Sequence, residues 1–135
     1  MQIVKDYPPN IELIKANFQI SGNTVFCYGD TLYNPGGYKI SSDLLAHEKV
    51  HQKQQGNDPS GWWRRYIEDK AFRLSQEVEA YRKQFRVYKN SLGHISFKNR
   101  LEKEQAFLNR IATDLSSALY GSLISLPEAK RRIEQ

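Results

Sequence analysis

Residues 47–51 read His-Glu-Lys-Val-His, and this pentapeptide restricts the fold more than any other stretch of the chain. It holds two of the three histidines, four residues apart. On a helix, positions i and i+4 lie about 40° apart around the axis and one turn along it. His47 and His51 can then turn imidazole nitrogens toward one metal ion, at about 2.0–2.1 Å from each. Glu48 sits about 100° round from His47, too far to ligate the same ion easily but within reach of a water beside it. Zinc lowers the pKa of such a water, and a neighbouring carboxylate can take its proton. The chain must therefore form a helix here, bury one face of it, and bring a further ligand from elsewhere.

The flanking residues support burial. Leu44 and Val50 lie about 60° to either side of His47, so the histidine face is the apolar side of the helix. Two histidines side by side on a buried face need a common partner. The third ligand is not a histidine six residues downstream, as in one zincin class, because positions 54 and 57 are Gln54 and Asn57. The next helical stretch, roughly Trp62 to Tyr88, carries an apolar seam at Leu74, Val78, Tyr81, Phe85 and Tyr88. Glu77 falls about 60° from the seam centre, whereas Glu79 falls about 140° away, beside Arg82, Lys83 and Arg86. Helical phase favours Glu77 over Glu79, with Asp58, Glu68, Asp69 and His94 as the remaining choices.

The pentapeptide followed by Glu77-Val78-Glu79-Ala80-Tyr81-Arg82 resembles the gluzincin pattern, in which a Glu-x-x-Ala segment on the next helix supplies the third ligand. The chain is similar to the minimal gluzincins and to small metallopeptidases of phage and bacterial genomes, over roughly Tyr38 to Arg86. The resemblance implies a zincin-like α+β domain and Zn2+ held by His47, His51 and Glu77. It also implies peptide-bond hydrolysis with Glu48 as general base. Many gluzincins carry an aspartate four residues after the ligand glutamate, to orient the first histidine; here that position is Tyr81, which leaves the partner of His47 open. The resemblance further implies a peptide substrate lying along an upstream edge strand, a place that Tyr38-Lys39-Ile40 occupies. An oxyanion donor is required as well, with Tyr66, Tyr81, Tyr88, His94 and Tyr120 as candidates. A zinc-stabilised interaction or assembly module without activity is the competing reading, and hydrolysis of a non-peptide amide is a third.

Elsewhere the chain reads as one domain of 135 residues. A short helix from about Asn10 to Asn17 precedes strands near Thr24–Tyr28 and Thr31–Tyr33, with Gly29-Asp30 as a turn. A helix from Ser42 to about Gln55, the Trp62–Tyr88 helix, one from Lys98 to about Leu119, and a terminal helix opened by the capping box Ser125-Leu126-Pro127-Glu128 complete an α+β architecture. Cys27 is the single cysteine, so neither an internal disulfide nor a cysteine-rich zinc site is available. Trp62-Trp63 reads as packing in preference to a base-stacking platform. Net charge is +5, but basic residues alternate with acids, as in Arg64-Arg65-Tyr66-Ile67-Glu68-Asp69-Lys70, which argues against a nucleic-acid partner. With no signal-like or membrane-spanning apolar run, a cytoplasmic chain is expected.

Overall fold

Glycine and proline cut the N-terminal part of the chain into short pieces. The computed structural model, which describes residues 1–135, arranges them as a three-stranded sheet and one short helix. Strand β1 (Gln2–Val4), helix α1 (Ile11–Asn17), β2 (Phe26–Tyr28) and β3 (Thr31–Tyr33) come in that order, and the sheet order is β1-β3-β2. β2 and β3 form a hairpin through Gly29, whose φ of +64° a side chain would disfavour. β1 pairs in parallel with β3, Ile3 opposite Leu32. The sequence does not announce β1, because three residues carry no readable alternation.

The strand expected at Tyr38–Ile40 is absent. Asn34 donates its side-chain amide to the Tyr38 carbonyl at 2.7 Å, and Gly37 N–H bonds the Asn34 carbonyl at 3.0 Å. These turn bonds, with Gly37 at φ +68°, hold the segment in a loop, and Tyr38 is 60% exposed.

The rest of the chain is helical. Ser41 caps α2 (Ser42–Gln55) by accepting from Leu44 N–H, and Gly56 at φ +57° ends it. The expected single helix from Trp62 to Tyr88 is two: α3 (Pro59–Glu68) and α4 (Lys70–Ser91). The break sits at Asp69, which is extended and whose carboxylate accepts from Phe72 N–H to cap α4. The buried Arg73 guanidinium donates to the Tyr66 and Ile67 carbonyls, groups that the end of α3 would otherwise leave unpaired. Helix α5 (Phe97–Leu115) ends earlier than expected, at Ser116, before a 3-10 turn at Ala118–Tyr120. Ser125 caps α6 (Leu126–Glu134) by accepting from Glu128 N–H, as the capping box predicts. No helix is long and apolar enough to cross a membrane.

Two apolar cores result. In one, Val78 and Phe85 of α4 pack against Phe107, Leu108, Ile111 and Leu115 of α5 and Ile133 of α6. In the other, Ile14, Phe26, Trp62, Trp63 and Tyr66 join α1, the sheet and α3. Helix α4 stands between them with two buried stripes. Its predicted seam faces α5 and α6, and a second stripe of Glu77, Ala80 and Gln84 faces α2. Ala80 is fully buried, so the small side chain allows α2 and α4 a close approach.

Candidate metal centre

Helix α2 is anchored at its C-terminal end before it offers any ligand. Gln55, buried in its last turn, donates its amide to the Cys27 carbonyl at 2.8 Å and accepts from Gly29 N–H at 2.8 Å. Trp63 Nε1 donates to the same Cys27 carbonyl at 3.0 Å. This fixes the helix against β2 and turns His47, Glu48 and His51 inward, all three at or below 6% exposure. α4 meets them from the other side with Glu77, which is 3% exposed.

The ligand atoms form a small triangle. His47 Nε2 and His51 Nε2 are 3.1 Å apart, and each lies 3.3 Å from Glu77 Oε1. Three donors bound tetrahedrally at about 2.0–2.1 Å would sit about 3.3–3.4 Å from one another. The spacing therefore suits one small cation, and the buried His47-His51-Glu77 group can hold a metal ion. The other atoms of these side chains are taken. His47 Nδ1 pairs with Gln84 Oε1 at 2.9 Å and His51 Nδ1 with Gln54 Oε1 at 2.8 Å. Glu77 Oε2 accepts from the Tyr66 hydroxyl at 2.6 Å, leaving Oε1 alone to face the imidazoles. Three potential ligand atoms thus converge on one point and face one another.

The electrostatics carry the same message. Burial disfavours charge on His51, but the facing Glu77 outweighs it and pushes His51 up to about 9. Burial would raise Glu77, yet the two histidines hold its carboxyl well below the usual carboxylate range. Glu48 is raised, by burial first, with the histidines opposing and Glu77 adding to it; no hydrogen bond contributes. Burial keeps the Tyr66, Tyr81 and Tyr120 phenols well above their ordinary value, so they act as neutral hydroxyls.

A cavity of about 80 Å³ opens beside the triangle, lined by Glu48, His47, His51 and Glu77 and walled by apolar groups including Ile14, Phe26 and Trp63. By the same measure one water occupies about 10–15 Å³, so there is room for several waters or a modest side chain. A groove between Gly22-Asn23 and Tyr38–Ile40 is lined in part by Val25, a residue that also lines this cavity.

Most of the expected site residues gather here. Glu79 is exposed, away from the histidines, and Asp58 and Glu68 are exposed caps or surface groups. Asp69 caps α4 and His94 lies exposed past its end. Among the oxyanion candidates, Tyr88 stacks on Phe107 at 3.8 Å and Tyr66 is committed to Glu77. Tyr81 packs edge-on to the His47 ring at 4.5 Å, and its hydroxyl meets that of Tyr120 at 2.8 Å, of which Tyr120 lines the cavity. Sequence reasoning missed Gln54, Gln84 and Asp43. The i+3 spacing of Gln54 from His51 was a readable signal; Gln84 needed the phase of the α2-facing stripe. No protein-family model, curated protein or solved structure matches the chain.

Proposed function

We propose that this chain is a zinc-dependent hydrolase of peptide bonds with a small zincin-like domain. The observation that carries the reading is the triangle of His47 Nε2, His51 Nε2 and Glu77 Oε1 at 3.1–3.3 Å, with the Glu48 carboxylate in the same cavity. A bound zinc ion would supply Lewis acidity toward a water and a substrate carbonyl. Glu48 accepts the proton of the attacking water and returns it to the departing amine. Burial raises its proton affinity above that of an ordinary carboxylate, which suits a general base. Tyr120, on the cavity wall with its hydroxyl backed by Tyr81, is the phenol best placed to donate to the carbonyl oxygen. The peptide enters along the groove between residues 22–25 and 38–40, with an apolar side chain in the cavity. The resemblance of the two ligand segments to gluzincins supports the same assignment.

The test is zinc content of the purified protein together with cleavage of a peptide library, for the wild type and for Glu48→Gln. About one zinc per chain, with cleavage by the wild type only, is the expected result. No transition metal after reconstitution would overturn the metal assignment. One observation favours a metal-tied interaction module instead: the outward carbonyl of Cys27 on the edge strand β2 is already occupied by Gln55 and Trp63. Zinc binding without cleavage of any library member would select that reading.

A further inference from the structure

We infer that Asp43, which touches neither ligand nor cavity, sets the hydrogen-bonding polarity of the metal centre through Gln84. The inference rests on the metal-centre reading and concerns residues two hydrogen bonds away from it. Gln84 is buried, and its amide spans two partners: Nε2 donates to Asp43 Oδ2 at 2.9 Å, and Oε1 faces His47 Nδ1 at 2.9 Å. A carboxylate offers acceptors only, so the NH2 end of Gln84 is the end that must face Asp43. The oxygen is then fixed toward His47, and an amide oxygen requires a proton on Nδ1. That proton leaves the lone pair on Nε2, the atom in the triangle.

The orientation of an amide is otherwise a free choice of two, and the wrong one would present NH2 to Nδ1 and favour the proton on Nε2. Asp43 removes that choice. Nothing else in the contacts of Gln84 distinguishes its two ends. His51 has a different arrangement: Gln54 Nε2 donates to the Gln76 backbone carbonyl at 3.1 Å, and Oε1 accepts from His51 Nδ1. A backbone carbonyl cannot be altered by substitution, which makes the His47 side the testable one. Tyr81 stands at the position where gluzincins carry an orienting aspartate, and its ring packs on His47 without hydrogen bonding it. The orienting carboxylate of this chain sits on α2 itself, one turn before the histidine it governs, and acts across α4.

The relay predicts a reciprocal rescue. In Gln84→Glu two carboxylates face each other at Asp43, and zinc affinity should fall by about 10- to 100-fold, the usual cost of losing a group that orients a ligand. In the double variant Gln84→Glu with Asp43→Asn, the new carboxylate accepts from His47 Nδ1–H and the new amide donates to it. Every polarity is restored, and affinity should return to within about threefold of the wild type, well outside additivity. The measurement is competitive zinc titration against a chromophoric chelator for the wild type, both single variants and the double variant. Thermal melts of the metal-free proteins run beside it to confirm folding. If the two substitutions combine additively with no rescue, Asp43 is only a first-turn acid of α2 and the inference fails. If the wild type itself binds no zinc, the metal-centre reading fails first. A wild type that binds and a double variant that recovers uphold both.

Discussion

Replacing Glu77 by glutamine separates its two roles, because the structure gives each carboxylate oxygen a different partner. Oε2 accepts from Tyr66 and Oε1 faces His47 and His51. In Glu77→Gln the amide oxygen can still accept from Tyr66, and the amide NH2 can donate to the imidazole lone pairs. Near pH 9, where His51 loses its charge, the metal-free fold should therefore melt within a few degrees of the wild type, and at lower pH it should fall below it as the Glu77–His51 ion pair is lost. Glu77→Ala instead strands the Tyr66 hydroxyl, on a side chain only 5% exposed, and an unpaired buried hydroxyl costs about 1–3 kcal/mol. For the metal, a structural zinc site of four ligands is worth roughly 10–16 kcal/mol, or about 2.5–4 kcal/mol per ligand if shared evenly. Loss of Glu77 should then weaken zinc binding on the order of 100- to 1000-fold in both variants. Glu79→Ala, at an exposed position outside the ligand triangle, should change affinity by less than about threefold. Chelator competition ranks the four proteins, and melts with chelator present rank their metal-free stability. Glu77→Gln binding zinc like the wild type, or Glu79→Ala losing it, would refute the ligand assignment.

Glu48→Gln should retain zinc within about threefold and lose at least about 100-fold in cleavage rate, since the amide keeps the shape but cannot accept a proton; mass spectrometry of library digests reads the rate. The metal-free protein should lose stability as pH rises. His51 is raised from its ordinary 6.5 to about 9, so the stabilisation it lends is full below pH 6.5 and disappears through pH 9. Melting temperatures of chelator-treated protein across that window should fall, and a flat profile would contradict the Glu77–His51 coupling. Leu115→Ala removes a fully buried side chain from the α4–α5–α6 core and should cost about 2–5 kcal/mol in urea unfolding, with zinc affinity unchanged in the folded protein.

The site was more legible in the sequence than the sheet that supports it. Periodicity located α2 and its inward face, and the phase of α4 placed Glu77 rather than Glu79 beside the histidines. Phase did not reveal that α4 is buried on two sides. The Leu74–Tyr88 seam packs mainly on α5 and α6, with Tyr81 also touching His47, while a second stripe that includes Glu77 faces α2. A helix buried on two sides has no single apolar centre for a periodicity argument to find. The break at Asp69 was missed because a capping aspartate and a buried arginine made it, with no glycine or proline as a cue. Residues 38–40 were expected as an edge strand, where a side-chain bond from Asn34 decided the backbone. Gln84 could not be found without the fold, because an amide gives no signal in sequence until its two partners are known.

The placement of α4 as a shared wall also has a consequence for synthesis. The sheet, α1 and the histidine helix occupy the first 55 residues, yet they meet their supporting face only on a helix running from residue 70 to 91. Translation proceeds from the N-terminus, so the paired imidazoles leave the ribosome well before Glu77 and Gln84. During that interval they form an incomplete, solvent-accessible half-site, with neither a third ligand nor Gln84 to orient His47. The α4, α5 and α6 helices are neighbours along the chain, but α5 and α6 follow α4 in synthesis, and α2 packs on α4 more extensively than either of them does. The His47-His51-Glu77 group can therefore come together as soon as α4 emerges, before α5 and α6 exist to hold it. An ion captured at that step would mark the joining of the two halves of the nascent chain.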